Sequence, residues 1–235
     1  MDNPLIGGRW SQSLSTPLQR HSFTSPISAH ATAEEVEDFV ILWLTEGTAH
    51  CFADTPAAMQ RVRRFVGERL HIHPKNVGLC GSSKLGFSLS PRKALRSFDK
   101  GQSDLDLFIV DASIFSKLDK AFQKGLIITQ DNMHRLTRRE REAFDSNVPH
   151  VLSTLRRGFI DTHKMPYVRG IWSSGVASRC ENCLADLRSY LAEAPFSWSM
   201  KKSAGLRVYR DWPAAIKQNA ISVSSALEKL SNASA

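Results

Sequence analysis

Two aspartates one residue apart, Asp104 and Asp106, stand in a stretch that otherwise reads as a buried strand, SDLDLFIVD at residues 103–111. Residues i and i+2 of a strand project from the same face, so both carboxylates are expected on one side and Leu105 and Leu107 on the other. Adjacent carboxylates repel each other and force one of them to stay protonated. A divalent cation relieves the repulsion, because Mg²⁺ takes hard oxygen ligands, often one or two carboxylates. The pair therefore predicts a site for Mg²⁺ or Mn²⁺ that faces a cleft.

A glycine–serine turn precedes the acids, because Gly81, Ser82 and Ser83 follow the short apolar run VGLC at residues 77–80. Glycine lets the backbone approach a phosphate closely, and the amides and hydroxyls that follow can donate hydrogen bonds to phosphate oxygens. Three cations near this turn are expected to neutralise a triphosphate: Lys84, Arg92 and Lys93. The turn therefore predicts a nucleotide phosphate site beside the metal site.

The order of these elements, a strand ending in Gly-Ser and then an Asp-x-Asp strand, resembles the DNA polymerase β-like nucleotidyltransferase superfamily. The resemblance covers residues 77–111 and rests on Gly81-Ser82-Ser83 and Asp104-Leu105-Asp106. It implies metal-dependent transfer of a nucleoside monophosphate from an NTP or dNTP to a hydroxyl acceptor. That acceptor is an oligonucleotide, an RNA end, a nucleotide or a protein.

The linker between the two motifs, GFSLSPRKALRSFD at residues 86–99, is longer than the family usually has. It resembles the linker of bacterial members associated with immunity and toxin–antitoxin systems. The resemblance therefore implies a role in bacterial phage defence or in a toxin–antitoxin pair, with an effector or antitoxin protein as partner.

The resemblance also implies a third carboxylate that helps to deprotonate the attacking hydroxyl, and we expect it on a strand beside the Asp104–Asp106 strand. Asp161 is the leading candidate for this catalytic and metal-binding role, because it follows a short apolar run in GFIDTHK at residues 158–164. Asp211, in RVYRDW at residues 207–212, is the second candidate. Each also has an ordinary interpretation as a surface or turn aspartate.

Strands and helices must position these residues, and their alternation predicts an α/β (α+β) fold: a nucleotidyltransferase-like mixed sheet with flanking helices and a helical C-terminal part. Runs rich in β-formers predict strands at residues 76–80, 103–111, 159–162 and 205–212. Capping residues and apolar periodicity predict helices at residues 32–47, 55–70, 111–125, 132–146, 180–194 and 213–230, with a long loop at 87–102. The expected division is a poorly ordered segment 1–31, a core 32–170 and a helical part 171–235 packed on the core.

Positive charge is concentrated around the glycine–serine turn. The chain has 235 residues and a formal net charge of +8, and residues 61–100 hold ten Lys or Arg against two acids, Glu68 and Asp99. Such a region raises the local concentration of phosphate-bearing partners, including a nucleic-acid acceptor. A solvated basic helix without a partner is the alternative, and the adjacent turn favours a phosphate ligand.

Four cysteines are few for this length and favour a reducing, cytoplasmic location over a disulfide framework. Cys180 and Cys183 form a lone CxxC, which indicates either two reduced thiols on one helix face or half a zinc site completed by His150 or His163. Without a second pair at ligand spacing, the reduced thiols are favoured. No apolar run reaches a membrane-spanning length, and the N-terminal segment does not read as a secretory signal.

Two other functional classes fit part of the pattern. A catalytically inactive protein that binds a nucleotide or RNA for regulation would keep the fold, and the uncertain third carboxylate favours it. A basic nucleic-acid-binding module without nucleotide chemistry explains the charge but leaves Asp104 and Asp106 unexplained.

Overall fold

A four-stranded mixed sheet with helices on both faces forms the framework of the computed structural model, which describes residues 32–90, 93, 96–166, 174–193 and 204–234. The expected α/β class, a mixed sheet with flanking helices, is confirmed. The segment 1–31 and Arg92 lie outside the described residues. Within the described part, no helix combines the length and apolar character that crossing a bilayer requires.

The regular elements alternate along the chain much as the sequence predicts. The strands are β1 Val77–Leu79, β2 Asp106–Val110, β3 Phe159–Asp161 and β4 Gly205–Tyr209. The α-helices are α1 Ala33–Ile41, α2 Pro56–Leu70, α3 Gly81–Leu85, α4 Ala112–Asp131, α5 Arg138–Arg156, α6 Gly175–Ala192 and α7 Trp212–Ser234. Short helical turns of other types span Leu42–Glu46, which is a π-helix, and His50–Phe52, Pro74–Asn76, Met133–Arg135 and Thr162–Lys164, which are 3₁₀ turns.

The strand order in the sheet is β1-β2-β4-β3. β1 is antiparallel to β2, β2 is parallel to β4, and β3 is antiparallel to β4. The register pairs Asp106 with Gly205, Phe108 with Arg207, and Asp161 with Arg207. Because paired residues project from the same face, Asp106, Arg207 and Asp161 share one face of the sheet.

Each face of the sheet buries a separate apolar cluster, as the alternation of side chains requires. On one face, Leu107, Ile109 and Val208 pack with the apolar sides of α2, α4 and α6. On the other, Phe108 and Tyr209 pack with residues of α1 and α7. The polar residues that share this second face lie at one end of the sheet, where the helices leave it uncovered and a cleft remains.

Several helices begin directly after a capping residue. Thr32 and Glu35 form a capping box at α1, and Thr137 and Glu140 form another at α5. Asp111, which directly follows β2, accepts a hydrogen bond from the backbone N–H of Ile114 and so starts α4. These local bonds fix the points at which the chain leaves each strand.

Three predicted features need correction. The charged helix predicted over residues 132–146 begins only at Arg138, because its first residues form a 3₁₀ turn. The linker predicted as a loop contains paired backbone, with a β-bridge between Phe87 and Ser97. The part 171–235, predicted to be helical and to pack on the core, also supplies β4, which lies inside the sheet between β2 and β3.

Candidate functional site

A cleft of about 560 Å³ opens at the end of the sheet where β1 ends and β2 and β4 begin. Five of the predicted site residues line it: Gly81, Ser82, Lys93, Asp106 and Asp161. The other polar groups in its wall come from the linker, from β4 and its neighbours and from α7: Ser88, Ser90, His163, Arg207, Asn219, Ser222 and Ser225. The two motifs and the leading third acid are therefore neighbours in space.

Asp106 is fixed between two glycines. Gly81 has a φ of +61°, and a Cβ there would lie 2.5 Å from Oδ2 of Asp106. Gly205 pairs with Asp106 from the other side, and a Cβ there would lie 3.8 Å from Oδ1. The N–H of Cys80 donates to the Asp106 carbonyl at 2.9 Å, which holds the turn against β2. A side chain at residue 81 would displace the carboxylate, so glycine is required there for close approach as well as for backbone conformation.

Asp104 and Asp106 interact electrostatically, although only Asp106 belongs to β2. Burial and the charge of Asp104 raise the pKa of Asp106 to about 6, while Arg207 and Lys93 act in the opposite direction. Leu105 and Leu107 are buried in the apolar cluster on the opposite face, as alternation predicts. The sequence predicts a strand that includes Asp104, but β2 starts at Asp106. Asp104 is not among the residues that line the cleft.

Asp161 is held by Arg207 through both carboxylate oxygens. Nε of Arg207 donates to Oδ1 at 2.7 Å and a terminal nitrogen donates to Oδ2 at 3.2 Å. Nε2 of His150 lies 3.3 Å from Oδ2. Burial acts to raise the pKa of Asp161, but the charge and hydrogen bonds of Arg207, with the bond to His150, hold it below its usual value. Asp161 is therefore a charge-compensated carboxylate at the wall of the cleft.

The expectation that the third acid lies on a strand beside the Asp104–Asp106 strand is wrong in its geometry. β4 lies between β2 and β3, and Arg207 of β4 stands opposite Phe108 of β2 and bonds to Asp161. Among the residues that the structure describes, no group of three or more His, Cys, Asp or Glu side chains could hold a metal ion. Any metal site here therefore rests on two carboxylates and on oxygens that a substrate supplies.

Asp211, the second candidate for the third acid, has a different environment. Its Oδ1 accepts the backbone N–H of Ala214 at 2.8 Å, and its Oδ2 accepts Nε of Arg210 at 2.8 Å. These are the contacts of an N-cap at the start of α7. It does not line the cleft, so we leave it out of the site.

The side chains of the Gly-Ser-Ser-Lys stretch have different locations, some at the cleft and some in the interior. Ser82 lines the cleft, whereas the buried Ser83 hydroxyl donates to the Cys80 carbonyl at 2.9 Å. The Lys84 side chain is buried and its ammonium donates to the Gly47 carbonyl. Burial, and then the charge of Arg63, lower the pKa of Lys84 to about 8. The predicted phosphate roles of Ser83 and Lys84 therefore have no support in this arrangement, and both side chains instead stabilise the turn.

Arg207 is the most prominent cleft residue that sequence reasoning missed. Its guanidinium lies 4.6 Å from the centre of the Phe159 ring and donates to the Tyr209 hydroxyl at 3.5 Å. One signal was available, because Gly205, Arg207 and Tyr209 alternate with Leu206 and Val208. That period-two pattern places Arg207 on the face opposite the apolar residues.

The α7 wall of the cleft could not be read from the sequence. Asn219 bonds to the Tyr209 hydroxyl at 3.1 Å, and Ser222 and Ser225 follow it along the helix. In the sequence alone, these residues have the pattern of the polar side of an ordinary surface helix. Their contribution to the cleft follows only from the packing of α7 on the sheet.

The lone CxxC lies in the apolar core. Cys180 and Cys183 of α6 are both free and buried. Burial, with the mutual influence of the two thiols and nearby charges, raises the pKa of Cys180 to about 12, and burial raises that of Cys183 to about 11. A metal-binding cysteine acts as a thiolate, so this environment does not favour a zinc site.

Comparison with known proteins identifies no relative of the chain. No family model matches the chain, and neither a curated protein nor a solved structure is significantly similar to it.

Proposed function

We propose that the chain is a metal-dependent nucleotidyltransferase that moves a nucleoside monophosphate from an NTP or dNTP to a hydroxyl acceptor. The observation that carries the proposal is the position of Asp106. Its carboxylate lies at the cleft against the backbone of Gly81, with a second acid, Asp104, near enough to raise its pKa. The cleft volume of about 560 Å³ is large enough for a nucleotide, since ligand sites typically have volumes from about 300 Å³ upward.

Asp104 and Asp106 would hold Mg²⁺ or Mn²⁺ in this proposal. Their donor set fits a hard cation, because the two carboxylates repel each other and a divalent ion offsets that repulsion. The ion would supply charge neutralisation at the triphosphate and at the attacking hydroxyl. A two-carboxylate site also suits Mg²⁺, which is commonly held by one or two acids together with substrate phosphates.

The remaining cleft residues suit the rest of a nucleoside triphosphate. Ser82 at the turn and Lys93 in the linker offer hydrogen bonds and positive charge for phosphate oxygens. Arg207 adds a second cation, although its guanidinium is shared with Asp161. Asn219 and Ser222 of α7 offer donors and acceptors for a sugar or base.

The acceptor and the biological setting extend the proposal. The net charge of +8 suits a polyanionic acceptor such as an oligonucleotide or RNA end, and it also suits the triphosphate alone. The longer linker between the motifs is the basis for a role in cytoplasmic phage defence or a toxin–antitoxin pair. In that setting an effector or antitoxin protein would be the partner.

The test is transfer from labelled nucleotides. The pure protein is incubated with each NTP and dNTP and with Mg²⁺ or Mn²⁺, and products are resolved by size to separate polymers, modified protein and unreacted nucleotide. We expect Asp104→Asn and Asp106→Asn to abolish transfer. Asp145→Asn, an exposed acid on α5, is the matched control and should keep full activity. Activity retained by Asp104→Asn or by Asp106→Asn at saturating metal would refute the proposal.

A second candidate is a protein that binds nucleotide or RNA without turnover. The observation in its favour is the pairing of both Asp161 oxygens with Arg207, which leaves no free third carboxylate beside Asp104 and Asp106 among the residues that the structure describes. The same assay separates the two functions. A binding-only protein takes up nucleotide in calorimetry but yields no product with any nucleotide, acceptor or metal.

A further inference from the structure

A second cavity lies at the edge of the sheet beside β1. Its volume is about 330 Å³, which is within the range of small-molecule sites. Among the described residues, none lines both this cavity and the cleft, and β1 is an edge strand because it pairs with β2 alone in the described sheet. The proposed transfer reaction therefore gives this cavity no role.

Two basic side chains line this cavity. Arg63 of α2 is half-buried, and its Nε donates to the Val77 carbonyl at 3.0 Å. Among the residues that the structure describes, Val77 supplies the only hydrogen-bond partner of the Arg63 side chain. Lys75 lines the same cavity and is exposed. Glu46 also lines it, so the balance of these three charges is one net positive charge.

Two aromatic side chains, Phe108 and Trp212, also line the cavity. Trp212, at the start of α7, meets the Phe108 ring edge-to-face, with 6.0 Å between centroids and an interplanar angle of 85°. The Phe108 ring packs directly on Gly78, where a Cβ would collide with it. This close packing holds the ring in place and thereby supports the half-buried indole. The cavity is thus lined by packed aromatic rings as well as by two cations.

We propose that this cavity binds a nucleoside phosphate, with the base against Trp212 and the phosphate at Arg63 and Lys75. Aromatic side chains stack on any base, because every base offers a π-face. Arginine and lysine bind phosphate oxygens through charge-assisted hydrogen bonds. A free mononucleotide and one unit of a single strand present the same chemistry. The proposal does not depend on transfer activity at the cleft.

Binding is tested in EDTA, where the cleft lacks the metal that its acids would hold. AMP, UMP and a 5′-phosphorylated oligonucleotide are titrated by calorimetry into the wild-type chain, Lys75→Glu and Lys120→Glu. Lys120 is an exposed lysine on α4, so Lys120→Glu makes the same charge change far along the chain. We expect the control to match the wild type and Lys75→Glu to bind about ten- to a hundredfold more weakly, because a repulsive charge replaces a phosphate contact. Equal affinities for the two variants would overturn the proposal.

Location is tested by photolabelling with 8-azido-AMP and mapping of the labelled peptides. Label on the peptide that contains Trp212 supports the proposal, and label confined to the peptide from Gly81 to Lys93 overturns it. Tighter binding of the oligonucleotide than of AMP identifies a nucleic-acid strand as the source, and equal binding identifies the free nucleotide. Transfer activity is measured separately with Mg²⁺, so its absence would count against the cleft and not against this cavity.

Discussion

Asp106 and Asp161 line the same cleft, yet their surroundings move their pKa values in opposite directions. Burial and Asp104 raise the pKa of Asp106 to about 6. Arg207 and His150 outweigh burial at Asp161 and lower its pKa. The charge of Asp161 is thus already compensated by the protein, whereas that of Asp106 is not. Asp106 is the carboxylate that gains most from a bound cation.

The pH dependence of stability should report this difference. The folded pKa of Asp106, about 6, lies above the value of about 3.9 expected when unfolded, so the folded state holds the proton more tightly. Stability contributed by this group is present below about pH 4 and is lost as pH rises to about 6. Above pH 6 in EDTA, we therefore expect Asp106→Asn to be more stable than wild type. Its free energy of unfolding, measured with urea, should be higher by up to about 3 kcal/mol.

Asp145→Asn serves as the control for this measurement, since Asp145 is exposed on α5. Added Ca²⁺ should stabilise the wild-type chain and leave Asp106→Asn unchanged, because a ligand that binds only the folded state shifts unfolding by mass action. If the free energy of unfolding changed with pH in the same way for wild type and Asp106→Asn from pH 4 to 8, the pKa of Asp106 would not be raised in the folded state.

The connection from β1 to α3 is the element that builds the cleft. β1 ends at Leu79, and the chain turns through Gly81 so that its backbone passes directly over the Asp106 carboxylate. Ser83 and Lys84 then anchor α3 to the interior through the Cys80 and Gly47 carbonyls. The position of Ser82 at the cleft follows from these two anchors on its C-terminal side.

Gly81→Ala should disturb this element in a way that Gly205→Ala does not. At residue 81 the new Cβ meets Asp106 at 2.5 Å and the backbone is left-handed, which costs about 1–3 kcal/mol. At residue 205 the Cβ would lie 3.8 Å from the same carboxylate, an ordinary contact. We expect Gly81→Ala to lower the urea midpoint and to weaken Ca²⁺ binding in calorimetry. Equal behaviour of the two variants would mean that the turn does not constrain the carboxylate.

Local signals predict most elements here, but not their neighbours. Capping boxes at Thr32 and at Thr137 start helices, and the run of β-formers around residue 107 gives a strand, because these preferences act over a few residues. The contact between Arg207 and Asp161 joins residues 46 positions apart in the chain. No local rule specifies that β4 enters between β2 and β3. The pairing of Asp161, the predicted third acid, with Arg207 could therefore not be predicted from the sequence.

At the scale of the molecule, the last part of the chain completes the sheet. β4 and α7 occupy residues 205–234, yet β4 pairs with both β2 and β3. In the described sheet, β3 has no other partner. Leu206 and Val208 of β4 are also buried in the apolar cluster beneath the cleft. The C-terminal part is thus structural for the whole sheet and supplies one wall of the cleft.

A chain that ends at residue 203 should therefore fail to fold cooperatively. It loses the central pairing of the sheet, and the exposed edges of β2 and β3 have unpaired backbone groups. We expect far-UV circular dichroism of this fragment to show no sharp urea transition, and the separate peptide 204–235 to restore one on mixing. A peptide with Leu206 and Val208 both replaced by Ser is the matched control and should not restore it. A cooperative transition in the fragment alone would contradict this role of β4.

The late position of β4 also has a consequence during synthesis. Between the end of β2 at Val110 and the start of β4 at Gly205 lie some 95 residues, which a ribosome adds in about 5–20 s. Throughout that interval the nascent chain carries Asp104 and Asp106 but has neither Arg207 nor the α7 wall. Translation that stops early therefore releases a product with the acidic motif and no cleft, exposing strand edges to chaperones and to aggregation instead of binding nucleotide.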